Sequence, residues 1–397
     1  MTSRTEDAPA ASTSLLTRSY VLAVIASHMY FLTYHASIAE VPRALADEPP
    51  WVIGVVVGAM GLSGMLVRPL VGVWLDGGNR IRMAKIGAIG TTIAFLGYAL
   101  DLGPWPMLVF RLLHGLTMGM FTTALLAVVG ASVPAARRGA GVGLYQTAGA
   151  VAQLYAAPVA IALMDSAGAS TTFLLTAGAA AIALVTGAAV RDSHPPVPRL
   201  TPVPWRQRSW VSKTAFLPGL VFLSVTAPWG AVTAFLLEFA DERALTNPGL
   251  FYTVVAFSQV ASRASVGWLA DRLRPSMTVI PALLAASAGL LLLASAHTQT
   301  VLLVSGLLYG LGLASTQTSI VALVISRTPP AGLGSAMATY SVAWDVGLVV
   351  GGTVFGFLVD ATSPATTFAV IAAMPLAGAA LFLLRVARGD ERTAAAV

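Results

Sequence analysis

The sequence has no cysteine, which excludes disulfides, thiol chemistry and cysteine metal sites. Charge is scarce as well. Asp, Glu, Lys and Arg make up 10% of the 397 residues, where soluble chains carry about 25%. Lysine is confined to Lys85 and Lys213, and histidine to five positions. His28, His35 and His114, the three within apolar runs, keep no metal-ligand spacing and have no carboxylate beside them. No metal site and no cofactor are therefore expected. Arginine supplies the net charge of +6, but it sits in short loops with no basic domain around it, so nucleic acid is not an expected partner.

Hydrophobic residues account for 56% of the chain and the mean hydropathy is +0.79, values that exclude a soluble globular protein. An apolar run of about 20 residues crosses a bilayer as a helix. On that criterion the spans are roughly 18–41, 51–75, 83–101, 105–131, 139–164 and 170–190. A second set follows at roughly 212–238, 248–270, 277–296, 299–325, 333–359 and 364–386. The expected fold is an all-α integral membrane protein of twelve transmembrane helices in two six-helix bundles. Residues 1–17 read as a polar N-terminal tail, retained because no cleavable signal precedes the first span. The bundles cover 18–190 and 212–386, joined by a proline-rich basic linker at 191–211, with a short tail at 387–397. Arg and Lys crowd the tails and the loops after even-numbered spans, whereas the other side holds only Arg43 and Arg243. The positive-inside rule then puts both termini in the cytoplasm of a multi-pass protein of the plasma (inner) membrane.

A repeat organises the chain. The segment Arg68-Pro-Leu-Val-Gly-Val-Trp-Leu-Asp76 is answered 195 residues later by Arg263-Ala-Ser-Val-Gly-Trp-Leu-Ala-Asp271. The same offset carries Leu-Leu-His-Gly-Leu (112–116) onto Leu-Leu-Tyr-Gly-Leu (307–311). It also takes Gly139, Tyr145, Ala148 and Asp165 onto Gly334, Tyr340, Ala343 and Asp360. One offset serving three separate blocks marks a tandem duplication. An even number of spans per copy relates the copies by an axis along the membrane normal.

These residues resemble the major facilitator superfamily of secondary transporters, whose signature after the second helix runs roughly G-x-L-A-D-R-x-G-R-K. Gly72, Asp76 and Arg80 match it, while Gly77 and Asn79 replace an Arg and a Gly. The second copy, Gly267-Trp-Leu-Ala-Asp-Arg272, is closer at its start and loses the later Gly and Arg. The fourth span, with Arg111, His114, Gly115 and Gly119, is similar to the family pattern R-x-x-q-G-x-x-x-G. The likeness covers about Arg18 to Arg388 and points to the drug- and metabolite-efflux branch. The fifth span departs from the antiporter pattern: Pro158 is kept, but alanines replace a close glycine pair. The resemblance implies a monomeric carrier, not an enzyme, that moves small molecules and protons across the bilayer by alternating access.

Candidate residues fall into two groups. Arg68, Gly72, Asp76 and Arg80, with Arg263, Gly267, Asp271 and Arg272, form a cytoplasmic gate if the family arrangement holds. In that arrangement Asp76 meets the helix N-terminus at Leu333-Gly-Ser-Ala, and Asp271 meets Ala140-Gly-Val, where free amides attract carboxylates. The alternative is that both are ordinary polar loop residues, and that Arg68 and Arg263 snorkel to the cytoplasm.

The second group is the pathway. Arg111 keeps its charge within a span, which is costly without water or a partner, and the family gives this Arg to proton coupling or substrate contact. Asp345 is placed as the one acid deep in the membrane and suits a proton-carrying role; a hydrogen-bonded structural acid is the alternative. His28, His35 and Tyr34 share the first span. Arg111, His114, Tyr145, Gln146, Tyr309, Gln317 and Trp344 are expected to line the cavity. Glu40 and Glu238 are expected to be solvated near the external helix ends. Two transport readings follow: proton-coupled export of small organic molecules, or proton symport of an organic anion such as a monocarboxylate. A membrane-embedded enzyme or sensor finds no nucleophile with a base, metal cluster or phosphate loop to support it.

Overall fold

The computed structural model describes residues 16–77, 79–133, 138–192, 211–270, 273–329 and 333–387. Ten of its segments are single helices: α1 (Arg18–Ala44), α2 (Pro50–Gly77), α3 (Arg80–Ala99), α4 (Pro104–Ser132), α5 (Arg138–Ala167), α6 (Ala169–Ala188), α7 (Lys213–Glu242), α8 (Gly249–Ala270), α9 (Pro275–Ala294) and α10 (Gln299–Arg327). The last two are interrupted. We use α11 for Leu333–Val349, a π-helical turn at Val350–Val354 and Phe355–Ala361 together. Likewise α12 comprises Pro364–Ile371, Ala373–Leu381 and a π-helical end at Phe382–Ala387. Apart from α3 and α8, each of the twelve contains a stretch long and apolar enough to cross a membrane. In α3, Arg80, Arg82 and Lys85 occupy the first two turns.

Local chemistry sets many helix starts. Thr17, Asn79, Thr298 and Ser363 accept the backbone N–H three residues on, and Pro104, Pro275 and Pro364 sit at the first turn, where no N–H is needed. Gly103 and Gly168, at φ of 88° and 84°, make the tight turns that begin α4 and α6. Prolines within spans, such as Pro158, Pro218 and Pro228, are tolerated because packed neighbours cover the freed carbonyls.

The pairing of helices repeats between the halves. In the first, α1 packs on α5 and α6, α3 on α4 and α6, and α2 on α4. In the second, α7 packs on α11 and α12, α9 on α10 and α12, and α8 on α10. Every pairing is the first set moved on by six helices. The main contacts across the halves obey the same exchange, α2 with α11 and α5 with α8. The face carrying the start of α1 and the end of α12, hereafter the terminal face, gathers the start of α1 with the end of α6 (Arg191 N–H to Ser19 Oγ, 3.2 Å). It also gathers the start of α7 with the end of α10 (Thr214 and Thr328 hydroxyls, 2.9 Å). The opposite face is called distal.

The halves meet closely because glycines let them. Gly54, Gly58, Gly61 and Gly64 form a stripe along α2 that faces α11. A Cβ on Gly54 would strike the carbonyl of Gly352, and one on Gly58 would lie 2.7 Å from Thr353 Oγ1. Without a hydrophobic driving force between helices in lipid, such small-residue contact is what supplies packing. The π-helical turn of α11 falls at this contact, with Gly351 against α7 and Gly352 against α2. Gly115 and Gly119 of α4 play the same part on the other side of α2, against Met60 and Val67.

Candidate functional site

A cavity of about 290 Å³ lies between the halves at mid-height and extends along α4 and α5 toward the terminal face. Phe31, Tyr34, His35 and Ile38 line it from α1, and Met118, Thr122 and Leu126 from α4. Tyr145, Gln146, Gly149, Ala150 and Gln153 come from α5. The second half supplies Trp229 from α7, Gln259 from α8, Gln317 from α10 and Trp344 from α11. His35 lies edge-on to Tyr34 with ring centroids 4.8 Å apart.

The expected lining is met unevenly. Tyr34, His35, Tyr145, Gln146, Gln317 and Trp344 face the cavity. Arg111, His114 and Tyr309 do not; all three are buried in the packed wall behind it. Arg111 lies two turns before Met118 on the same side of α4, nearer the distal face, where Ser37 of α1 takes its guanidinium. Tyr309 donates to the carbonyl of Val225 at 2.7 Å and stacks on Trp229, so it braces a cavity residue. His28 lies between α1 and α5, its Nδ1 donating to the Ala148 carbonyl at 2.8 Å and its Nε2 2.7 Å from the Tyr155 hydroxyl.

Beside the cavity, Arg68 reaches across the halves to Asp345. Its Nε donates to one carboxylate oxygen at 2.5 Å and an Nη to the other at 3.1 Å. This two-pronged geometry suits guanidinium and carboxylate and is the strong form of the ion pair. Asp345 is 3% exposed. The glycine stripe makes the approach possible, since Gly61 and Gly64 place the α2 backbone against Asp345. Arg68 was grouped with the gate on sequence position, but its partner is the intramembrane acid one helix across.

A second buried network belongs to the first half alone. Arg111 donates to Ser37 Oγ at 3.0 Å, and its charge also acts on Glu40, Tyr98 and His114. Glu40 accepts from the Thr176 hydroxyl at 2.5 Å, while its other oxygen has no hydrogen-bond partner. Its exposure is 0%, so the expectation of a solvated acid at the helix end is wrong. Glu40 lies one turn inside the end of α1, where α6 covers it, and Asp345 is thus not alone as a deep acid. His114 touches Tyr98 at 3.4 Å and packs edge-on to Phe95. Glu238 is half-buried, with one buried oxygen unpartnered.

At the distal face Arg43 of α1 holds Asp165 of its own half at 3.0 Å and Asp241 of the other half at 2.6 Å. Nearby, Gly249 of α8 packs on Pro158 of α5, and Thr253 donates to the Leu154 carbonyl at 2.7 Å. Trp51 stacks on Phe357 across α2 and α11. Of the expected gate, Arg80 lies 3.8 Å from Asp192, within the first half. Asp271 and Arg272 lie outside the described residues, as do the side chains of Asp76 and Arg263, while Gly72 and Gly267 fall within α2 and α8.

A family model described as Major Facilitator Superfamily matches residues 8–275 and 244–396. Among solved structures, a mutant of the nucleoside transporter NupG superposes with a TM-score of 0.79 at 16% identity, covering 92% of this chain and 99% of that one. A POT family transporter in complex with a thioalcohol-conjugated peptide gives 0.77 at 12% identity, covering 92% and 96%. A D-xylose-proton symporter gives 0.75 at 17%, covering 94% and 98%. These likenesses are of fold, at identities too low to carry a substrate. With a family model spanning nearly the whole chain and a twelve-helix bundle of two matching halves, the protein belongs to the major facilitator superfamily of secondary transporters.

Proposed function

We propose that this protein couples protons to the export of small organic molecules across the inner membrane, with the terminal face in the cytoplasm. The observation that carries the reading is the Arg68–Asp345 pair, which ties the two halves together beside the cavity. A proton taken up by Asp345 cancels the charge that holds Arg68. Breaking a buried pair costs about 3–5 kcal/mol. That is most of the roughly 5.5 kcal/mol needed to turn a 1:99 equilibrium into 99:1. One proton therefore supplies most of the shift between the two arrangements, and cargo binding supplies the rest.

Export is the direction we propose: the lining residues on α4 and α5 run toward the terminal face while Arg68 holds the carboxylate, an arrangement that suits loading of cargo before a proton is taken up. Asp76 and Asp271 then serve to close the cytoplasmic side against the starts of α11 and α5 when the halves rock. Organic-anion symport is the second reading; Arg111 and His114 stand behind the cavity wall, so among the described lining residues it rests on His35. One chain encloses the cavity, so a monomer suffices.

The test uses proteoliposomes loaded with a pH-sensitive dye, challenged with a compound that raises the purified protein's thermal stability. Exchange makes the lumen alkaline as cargo enters. Acidification would instead establish symport, the activity of the D-xylose-proton symporter that shares the fold. Cargo entry with no pH change overturns proton coupling.

A further inference from the structure

The cavity wall has a composition that selects a class of cargo. Four glutamines reach it, Gln146 and Gln153 from α5, Gln259 from α8 and Gln317 from α10. Among the described residues none of the four carboxamides takes a hydrogen-bond partner, although Gln259 is 6% exposed. Each brings two donors and an acceptor oxygen with two lone pairs. Two indoles, Trp229 of α7 and Trp344 of α11, complete the wall of the second half. Trp229 is held by its stack on Tyr309, and Trp344 by its stack on Phe222 with centroids 6.1 Å apart. Among the described lining residues there is no Asp, Glu, Lys or Arg.

From this wall we infer that the cargo is an uncharged ring compound carrying several hydroxyl or amide groups, bound by the four carboxamides with its ring face against an indole. The inference rests on the transport reading for its word cargo, but the binding it describes does not.

Each feature excludes an alternative. A charged molecule entering a cavity without an opposing fixed charge gives up hydration worth several kcal/mol that the wall does not return. A purely apolar molecule would desolvate four carboxamides and leave them unpaired, at about 1–3 kcal/mol each. Hydroxyl and amide groups both donate and accept, as the carboxamides do, so either partner satisfies the other. Rigid aromatic faces add contact at low entropic cost, and rings match them in shape. The cavity is at the small end of ligand sites, which run about 300–1,000 Å³, so a single ring system or a ring with one substituent fits. Pentoses, hexoses and nucleosides share this chemistry.

The glutamines also divide between the halves, two on α5 and two on α8 and α10. A ligand that reaches both pairs bridges the two rigid bodies that must rock, so its binding bears on their equilibrium. His35 of α1 faces the first-half side of the same space.

The experiment measures thermal stability and equilibrium binding of the whole purified chain in detergent, without any gradient. The panel pairs neutral pentoses, hexoses and nucleosides with a charged counterpart of each: a sugar acid, an amino sugar and a nucleoside monophosphate. Neutral members are expected to stabilise the protein in a dose-dependent way, and their charged counterparts are not. The sugar and nucleoside arms separate the two sources of the shared chemistry. Gln259→Leu and Gln317→Leu are each expected to weaken binding of the neutral ligand at least about tenfold, the equivalent of 1.4 kcal/mol. Gln259→Asn keeps the amide and shows whether the loss follows the hydrogen bond or the packing. Preferential stabilisation by charged compounds, no stabilisation by any neutral member, or unchanged binding in folded Gln→Leu variants overturns the inference. Binding without proton-coupled flux would leave it standing and sink the transport mechanism instead.

Discussion

Glu40 of α1 and Phe235 of α7 occupy equivalent places in the two copies, and both have 0% exposure. The fold therefore accepts a core aromatic at this position. A carboxyl there is a departure that burial alone does not favour, and Arg111, whose counterpart is Gly306, arrives with it. The pair of departures is confined to one half, so the two walls differ electrically although their helices pair alike.

If the charge of Arg111 is balanced by Glu40, the two residues are not independent. Arg111→Met is expected to destabilise the protein by about 1–3 kcal/mol by removing the bond to Ser37 and the cation near the Glu40 carboxyl. Glu40→Gln, which keeps an acceptor for Thr176, is expected to cost about 1 kcal/mol. The double variant should recover part of the loss. Thermal unfolding in detergent of all four proteins closes the cycle, and additive losses would show the residues uncoupled.

Asp345→Asn removes the charge that Arg68 holds while keeping size and hydrogen bonding. Proton-driven accumulation of cargo should fall at least about tenfold, whereas exchange of labelled for unlabelled cargo should persist, because only the coupling ion is lost. Full accumulation in this variant would show that the proton travels elsewhere.

Arg43 joins the halves at the distal face through its exposed ion pair with Asp241. Such a pair is worth about 0.2–1 kcal/mol, so Arg43→Gln is expected to raise the population opened at that face by about 1.4- to fivefold. The chain has no cysteine, so Leu237→Cys beside this clamp provides a single thiol. Its labelling rate should rise in the Arg43→Gln background, and an unchanged rate would dismiss the clamp.

Gly54→Ala places a methyl against the Gly352 carbonyl and is expected to lower stability by about 1–3 kcal/mol through overpacking. Gly178→Ala meets nothing within 4 Å and should gain up to about 1 kcal/mol from helix propensity. Thermal unfolding of the two variants compares a contact glycine with a free one. Equal shifts would remove the stripe from the account.

Much of the architecture was legible because it rests on length and repetition. Apolar runs locate the helices, and a single offset predicts that the pairings of one half recur in the other. Which neighbour covers a given turn of a helix was not legible. That is why Arg111, His114 and Tyr309 were expected at the cavity surface when α1, α3 and α7 cover them, and why Asp345 was found without its partner. The glycines at 54, 58, 61 and 64 were a readable sign that α2 comes close to a neighbour, although nothing in them names α11. Glu40 was misjudged because its distance from the helix end was used in place of its covering by α6. The π-helical turn at Val350–Val354 leaves no mark in hydropathy, since it changes the hydrogen bonding of residues that remain apolar.

Trp344 and Asp345 are neighbours along α11, and a helix turns successive side chains about 100° apart. One therefore looks into the cavity and the other toward α2. Under the proposed mechanism cargo and proton act one peptide bond apart, on a single helical segment that ends at a π-helical turn. Any rolling of that segment large enough to withdraw the indole also drags the carboxylate across the guanidinium. No relay of intermediate residues is required for the two occupancies to be linked, and a fault in the linkage should trace to the stiffness of this one helix.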